Sequence, residues 1–221
     1  MKAVESMVLS ARPVADIGTD HGFIPADLLM RGICPFAIMT DVNEGPLEKC
    51  RQNMTDIGLS AELYDLRLGS GFDPIGSDEA ATVIIAGMGG ELIRSMFENA
   101  PYDTSCFERI VLQPRTHSDE LRSFLTESGH RIADYRLAEE RGRICEVFVV
   151  EPCNAGEYRP DSGLISEFLL NKNDPLLPEF VDRKISSVKS ILEALEKSKG
   201  YPDKEVWNAM LLQLQEIRRN I

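Results

Sequence analysis

Between residues 14 and 126 short apolar runs alternate with amphipathic stretches. Val14 to Ile17 reads as a buried strand, and Phe23, Ala26, Leu28, Leu29 and Met30 give Gly22 to Arg31 the spacing of a helix that Gly32 ends. The alternation then predicts strands at Phe36 to Thr40, Leu63 to Leu68, Thr82 to Ala86 and Arg109 to Gln113. Helices are predicted at Glu44 to Met54, Glu91 to Glu98 and His117 to Thr126. Past Gly129 the period shortens. Arg131 to Leu137 and Ile144 to Val150, joined by a polar turn at Glu139 to Gly142, read as a hairpin. Five βα units closed by a hairpin predict an open α/β sheet of seven strands, with the C-terminal ends of its parallel strands on one edge.

Beyond residue 152 the pattern changes again. EPCNAGEYRPDSG and NKNDPLLP are loop-rich, placing a boundary near 152 to 160. The expected division is a catalytic or binding domain at 1–152 and a helical arm at 153–221. Val181, Ile185, Val188, Leu192 and Leu195 form one heptad-like stripe, and Trp207, Met210, Leu214, Ile217 and Ile221 form another. A turn at Gly200 to Asp203 between them makes an antiparallel coiled-coil hairpin. Such an arm either touches a partner or only buries its own seam.

Three of the parallel strands end in small or acidic residues followed by glycine: VADIGTDHGFIP, IMTDVNEGPL and VIIAGMGG. Ligands of open α/β sheets bind at that edge. Gly18 and Gly22 let the first loop turn sharply and bring backbone amides near a ligand. Asp16 is placed to meet an ammonium group, and Asp41 to accept both hydroxyls of a ribose. A dinucleotide site needs GxGxxG to seat a pyrophosphate, whereas this loop reads G-TDH-G and carries Asp20 where phosphates would lie. The reading that follows is S-adenosylmethionine as cofactor, on a class I methyltransferase sheet. Gly69 and Ser70 fall where its adenine would rest, though an ordinary turn reads the same way. Ala86 to Gly90 offers bare backbone for a planar base to approach. His21 reads as an orienting hydrogen bonder at least as well as a catalyst.

Charge complicates the choice of substrate. The chain carries 24 basic and 36 acidic side chains, a net −12, whereas nucleic-acid binding needs cations to displace counterions. The first 152 residues hold −11 of this, with 14 basic groups against 25 acidic, yet Arg109 to Arg143 contains seven arginines against six acids. Within that stretch Arg115 could meet an RNA phosphate or pair with Asp119. The five scattered cysteines make no CxxC pair, and His117 and His130 lack companion ligands, so no metal is expected. No run approaches the roughly 18 apolar residues of a membrane span and no signal peptide is evident, so a cytoplasmic location is expected.

ADIGTDHGFIP, TDVNEGPL, IAGMGG, VLQP and ERGRICEVFVV together resemble, in order and spacing, the bacterial tRNA (adenine(22)-N1)-methyltransferases, the TrmK family. The resemblance implies an S-adenosylmethionine-dependent enzyme that methylates N1 of an adenine in tRNA, with a Rossmann-like domain and a coiled-coil arm that both hold the tRNA. By position it puts Asp16, Gly18, Asp20, His21 and Gly22 around the methionine part of the cofactor. Asp41, Val42 and Asn43 fall at its ribose and adenine, and Gly69 and Ser70 at the adenine wall. Ala86, Gly87, Met88 and Gly89 become the floor beneath the target base, with Asp20, Met88 and Gly89 as the candidate catalytic group. The family's usual GDG reads Gly69-Ser70-Gly71 here, and Arg115 stands where Asn is usual. It also implies that the chain begins inside the family's first helix, so that the basic N-terminal segment expected to cover the cofactor or grip RNA is missing. RNA contacts are expected from the arginine stretch and from Arg183, Lys184, Lys189, Lys197 and Lys199. A methyltransferase of small molecules and a non-catalytic cofactor-binding protein remain the rival readings.

Overall fold

The computed structural model describes residues 1–154, 160–197 and 204–221. A short helix α1 (Lys2–Glu5), which the resemblance implied but the hydrophobic pattern did not show, precedes β1 (Val14–Ile17), α2 (Phe23–Met30), β2 (Ala37–Asp41) and α3 (Glu44–Asp56). These are followed by β3 (Tyr64–Leu68), β4 (Thr82–Met88), α4 (Gly90–Glu98), β5 (Arg109–Pro114), α5 (Ser118–Glu127), β6 (His130–Glu140) and β7 (Arg143–Pro152). The expected five βα units are four, because β3 leads into β4 through turns and no α-helix forms there.

The seven strands form one sheet in the order β3-β2-β1-β4-β5-β7-β6. β1 to β5 are parallel, and β7 enters antiparallel beside β5 with β6 outside it. Central β1 is buried along its whole length, which is why it reads as an unbroken apolar run apart from Asp16. Chain order reverses between β1 and β4. That switch point opens a crevice at the carboxyl ends of the two strands.

Alternate residues serve opposite faces of the sheet. Val14, Ile84, Val111, Val147 and Val149 pack with Val4, Met7, Leu28 and Leu29 of α1, α2 and the segment after α1. Ala15, Val83, Ile85, Leu112, Phe148 and Val150 pack on the other face with Ile93 and Phe97 of α4 and Leu121 and Leu125 of α5. This second core continues past residue 152 through Ile165 into α6 (Glu167–Lys172), α7 (Leu177–Lys197) and α8 (Lys204–Asn220), burying Leu169, Phe180, Val181 and Leu214.

α7 and α8 run antiparallel: Arg218 Nε lies 2.8 Å from Asp182 Oδ1, and Lys204 Nζ lies 3.1 Å from Glu196 Oε1. Val181, Ile185, Val188 and Leu192 meet Trp207, Met210, Leu214 and Ile217 along the seam, while Ile221 is exposed. The turn expected at Gly200 to Asp203 lies outside the described residues. No helix among those described is long and apolar enough to cross a membrane.

A buried polar cluster fixes the base of the arm to the sheet. Glu146 on β7 accepts hydrogen bonds at 2.6 Å from Ser118 Oγ and from Tyr135 OH, and lies 3.6 Å from Arg122 and 3.8 Å from Lys184 of α7. Arg122, fully buried, also faces Asp161 at 3.5 Å and donates to the Gly163 carbonyl. Burying charge is tolerated here because each charge meets an opposite one.

Candidate functional site

Asp16, the third residue of β1, is 6% exposed, and burial pushes its carboxyl up to about 7, against a smaller opposing pull from the Thr19 hydroxyl. The chain leaves β1 through Gly18 at φ +74, a conformation that side chains rarely adopt. The Gly18 and Thr19 amides both donate to the Thr40 carbonyl, at 2.8 and 2.9 Å, so the loop is clamped to β2. A Cβ at Gly18 would lie 1.8 Å from Met88 Cε, so the first loop and the β4 terminus approach as closely as glycine allows. Gly22, also at positive φ, caps α2 and would meet Met54 and Met39 if it carried a side chain.

Along the rim, Asp20 is exposed and stands 3.4 Å from His21 Nε2 and 3.8 Å from Lys49 Nζ. His21 stacks on exposed Phe23, with ring centroids 5.2 Å apart. Its carbonyl accepts from Asn53 Nδ2 at 2.9 Å. Asp41 closes β2. One of its carboxylate oxygens accepts the Asn43 amide at 2.8 Å, and its carbonyl accepts the Gly69 amide at 3.0 Å, tying the turn after β3 to the end of β2. Val42 and Leu68 are more than half exposed on this lip despite being apolar. Ser70 faces solvent in the turn that follows.

The floor begins with a bulge between Ala86 and Met88, with Gly87 at φ +77. The Met88 carbonyl accepts the Arg115 amide at 2.7 Å, and the Gly90 amide donates to the Thr116 carbonyl at 2.9 Å. A Cβ at Gly90 would sit 2.6 Å from both the Thr116 and His117 carbonyl oxygens. The glycines of Ala86 to Gly90 thus let the end of β4 lie flush against the segment after β5.

All the candidate residues from Asp16 to Gly89 line the ends of β1 to β4. The donor set fits an amine-bearing nucleoside. Asp16 can face an ammonium, and Asp41 has a carboxylate oxygen beyond the one bonded to Asn43 for ribose hydroxyls. Exposed Val42 and Leu68 offer apolar surface to a base. Burial raises the Cys50 thiol to about 11 against a pull from the Thr19 hydroxyl, with smaller contributions from Asp16, Asp20 and Asp41, which all bring negative charge to this edge. A pyrophosphate would meet that field unfavourably. From sequence Leu68 falls with Gly69, Ser70 and Gly71 in the turn expected at the adenine, whereas Phe23 reads only as part of a helix face; its one further signal is that it is an apolar residue standing where the chain enters a helix at the edge.

The arginine stretch is less of a surface than its count suggested. Arg122 is fully buried and cannot reach RNA, which corrects its inclusion there. Arg109 and Arg131 pair with Glu151, and Arg136 with Asp134. Arg115 makes no pair with Asp119. On α7, Arg183 is held by Glu179 and the Gly142 carbonyl and Lys184 approaches Glu146, whereas Lys189 is exposed without an ion pair among the described residues.

Comparison with known proteins agrees with this geometry. Over 151 residues the chain is 30% identical to the tRNA (adenine(22)-N(1))-methyltransferase of Bacillus subtilis, a match covering 68% of this chain and 63% of that enzyme. The chain therefore spans under two thirds of the length of that relative. Among solved structures, Streptococcus pneumoniae Sp1610 in complex with S-adenosyl-L-methionine superposes with a TM-score of 0.83 at 27% identity, over 98% of this chain and 97% of that one. The Bacillus subtilis TrmK structure shares the fold, with a TM-score of 0.84 at 24% identity over 98% and 96% of the two chains. The model of the family described as tRNA (adenine(22)-N(1))-methyltransferase matches residues 14–217, and the chain belongs to that family.

Proposed function

We propose that this protein is an S-adenosylmethionine-dependent methyltransferase that acts on N1 of an adenine in tRNA, of the position-22 type. The observation that carries the reading is the crevice between β1 and β4, with carboxylates along its rim and bare backbone from Ala86 to Gly90 as its floor. Asp16 would hold the cofactor's ammonium, Asp41 its ribose, and Val42, Gly69 and Ser70 its adenine. The bound cofactor supplies a methyl group on a sulfonium, already a strong electrophile.

Adenine N1 carries a free lone pair, so the protein need abstract no proton; its task is alignment. Met88 and the backbone of Gly87 to Gly90 hold the target base in line with the methyl group. Asp20 faces the positive charge that the base acquires. A base inside a folded tRNA must be everted to reach this floor, at a cost of a few kcal/mol. Cationic side chains of the Arg109 to Arg143 stretch that remain free, together with the arm at 153–221, supply compensating contacts. Acting on tRNA, the protein would work in the cytoplasm.

Incubating the protein with cofactor and unmodified tRNA, then locating the methyl group by mass spectrometry, tests the reading. Methyl transfer to adenine N1 supports it; a protein that binds cofactor yet modifies only small metabolites overturns it. That rival draws support from the net charge of −12. Under the proposed mechanism Asp20→Ala slows single-turnover methylation while cofactor affinity holds, and an unchanged rate removes Asp20 from it.

A further inference from the structure

Most arginines of the 109–143 stretch are committed to internal carboxylates or carbonyls, but Arg115, Arg141 and Arg143 are not, and of these Arg141 sits in the turn between β6 and β7. The guanidinium groups of Arg115 and Arg143 make no hydrogen bond or ion pair among the described residues, and both side chains are exposed. Arg115 is anchored through its amide to the Met88 carbonyl at 2.7 Å. Its guanidinium lies along the floor: a Cβ built on Gly87 would stand 3.4 Å from Nη2, 3.7 Å from Nε and 3.8 Å from Cζ. β5 and β7 are antiparallel with Leu112 opposite Phe148, which brings Arg115 alongside Cys145, two residues from Arg143. Burial and then Glu140 raise the Cys145 thiol, while the N-terminal ammonium, Arg115 and Arg143 pull weakly the other way, so both arginines lie within electrostatic reach of that residue.

A cation fixed beside the floor cannot serve the base itself, because N1-methylation leaves that base positive and like charges repel. It calls for an anion. The anions that an RNA substrate brings to this place are the phosphates flanking the everted nucleotide, and a guanidinium presents a planar fork that matches two phosphate oxygens. We propose that Arg115, seconded by Arg143, is the phosphate clamp of the everted nucleotide. The proposal rests on the tRNA reading above and adds to it a residue that sets where the substrate backbone lies.

The experiment compares the unchanged protein with Arg115→Gln, Arg115→Lys and Arg143→Gln, following tRNA affinity against salt, single-turnover methylation and cofactor affinity. Arg115→Gln is expected to weaken tRNA binding about tenfold and to flatten the salt slope by about one. Cofactor affinity should stay constant. Arg115→Lys restores the slope but not the full rate, since a point charge lacks the fork. Arg143→Gln gives a smaller loss in the same direction. An Arg115→Gln protein with unchanged slope and unchanged rate would overturn the clamp while leaving the methyltransferase reading intact. Failure of the unchanged protein to methylate tRNA would overturn that reading and the clamp with it.

Discussion

The buried carboxyl of Asp16 makes cofactor binding sensitive to pH in a calculable way. In the free protein burial raises this group from its ordinary 3.8 to about 7. For an acid the raised value means that the ionised folded form is disfavoured. The cost to folding is absent below the unfolded value, grows as pH rises from about 4, and is complete above about 7, where it reaches on the order of 4 kcal/mol. An ammonium placed against Asp16 needs the carboxylate and relieves that cost. Below about pH 7 the group must first lose a proton, so apparent affinity falls by up to about tenfold per pH unit. Lowering the pH from about 7.5 to about 5.5 should weaken S-adenosylmethionine binding roughly twenty-fold, with close to one proton released per cofactor bound at the lower pH.

Titration calorimetry in buffers of different ionisation enthalpy measures both quantities. Asp16→Asn should bind cofactor weakly and with a flat pH profile, while the cofactor-free variant becomes more stable than the parent above about pH 7. A parent protein whose affinity is level across this range, or an Asn variant that keeps the parent's affinity, would show that Asp16 does not face the ammonium.

Other consequences are more local. Gly18→Ala forces a Cβ into Met88 at positive φ; it should cost about 1–3 kcal/mol in urea denaturation and abolish cofactor binding. Glu146→Ala leaves Arg122 short of a buried partner and should lower stability by about 3–5 kcal/mol, read as a reduced denaturation midpoint. Leu214→Ala, at a seam position only 1% exposed, should cost about 2–5 kcal/mol by the same measure. Reversing the charge of Lys189 and Lys197 should weaken tRNA binding without altering cofactor binding, and unchanged tRNA affinity would remove the arm from substrate recognition.

Most strands were legible because burial writes itself into short apolar runs. Val14 to Ile17 and Arg109 to Gln113 match β1 and, to within one residue, β5. The count of five βα units was one too many, because Gly69, Gly71, Pro74 and Gly76 fall in the connection after the third strand and favour turns. Periodicity does not show α1, since four residues carry too little of it, and only the resemblance implied a helix at the start. The arm's stripes were legible, but its attachment was not. Seven arginines in sequence looked like one basic face, and only the fold shows that Arg122 lies in the core while Arg115 and Arg143, exposed, both come within reach of Cys145 at the edge.

The sequence by itself determined the alternation of elements, the glycines that end strands at one edge, and the carboxylates set at the ends of the first two. These are local matters of period and backbone freedom, carried by neighbouring residues. The tertiary structure alone decided which charges remain free, how high Asp16 titrates, and that the first loop touches Met88. Each of those depends on groups far apart in the chain, and on water being excluded between them once the sheet has assembled.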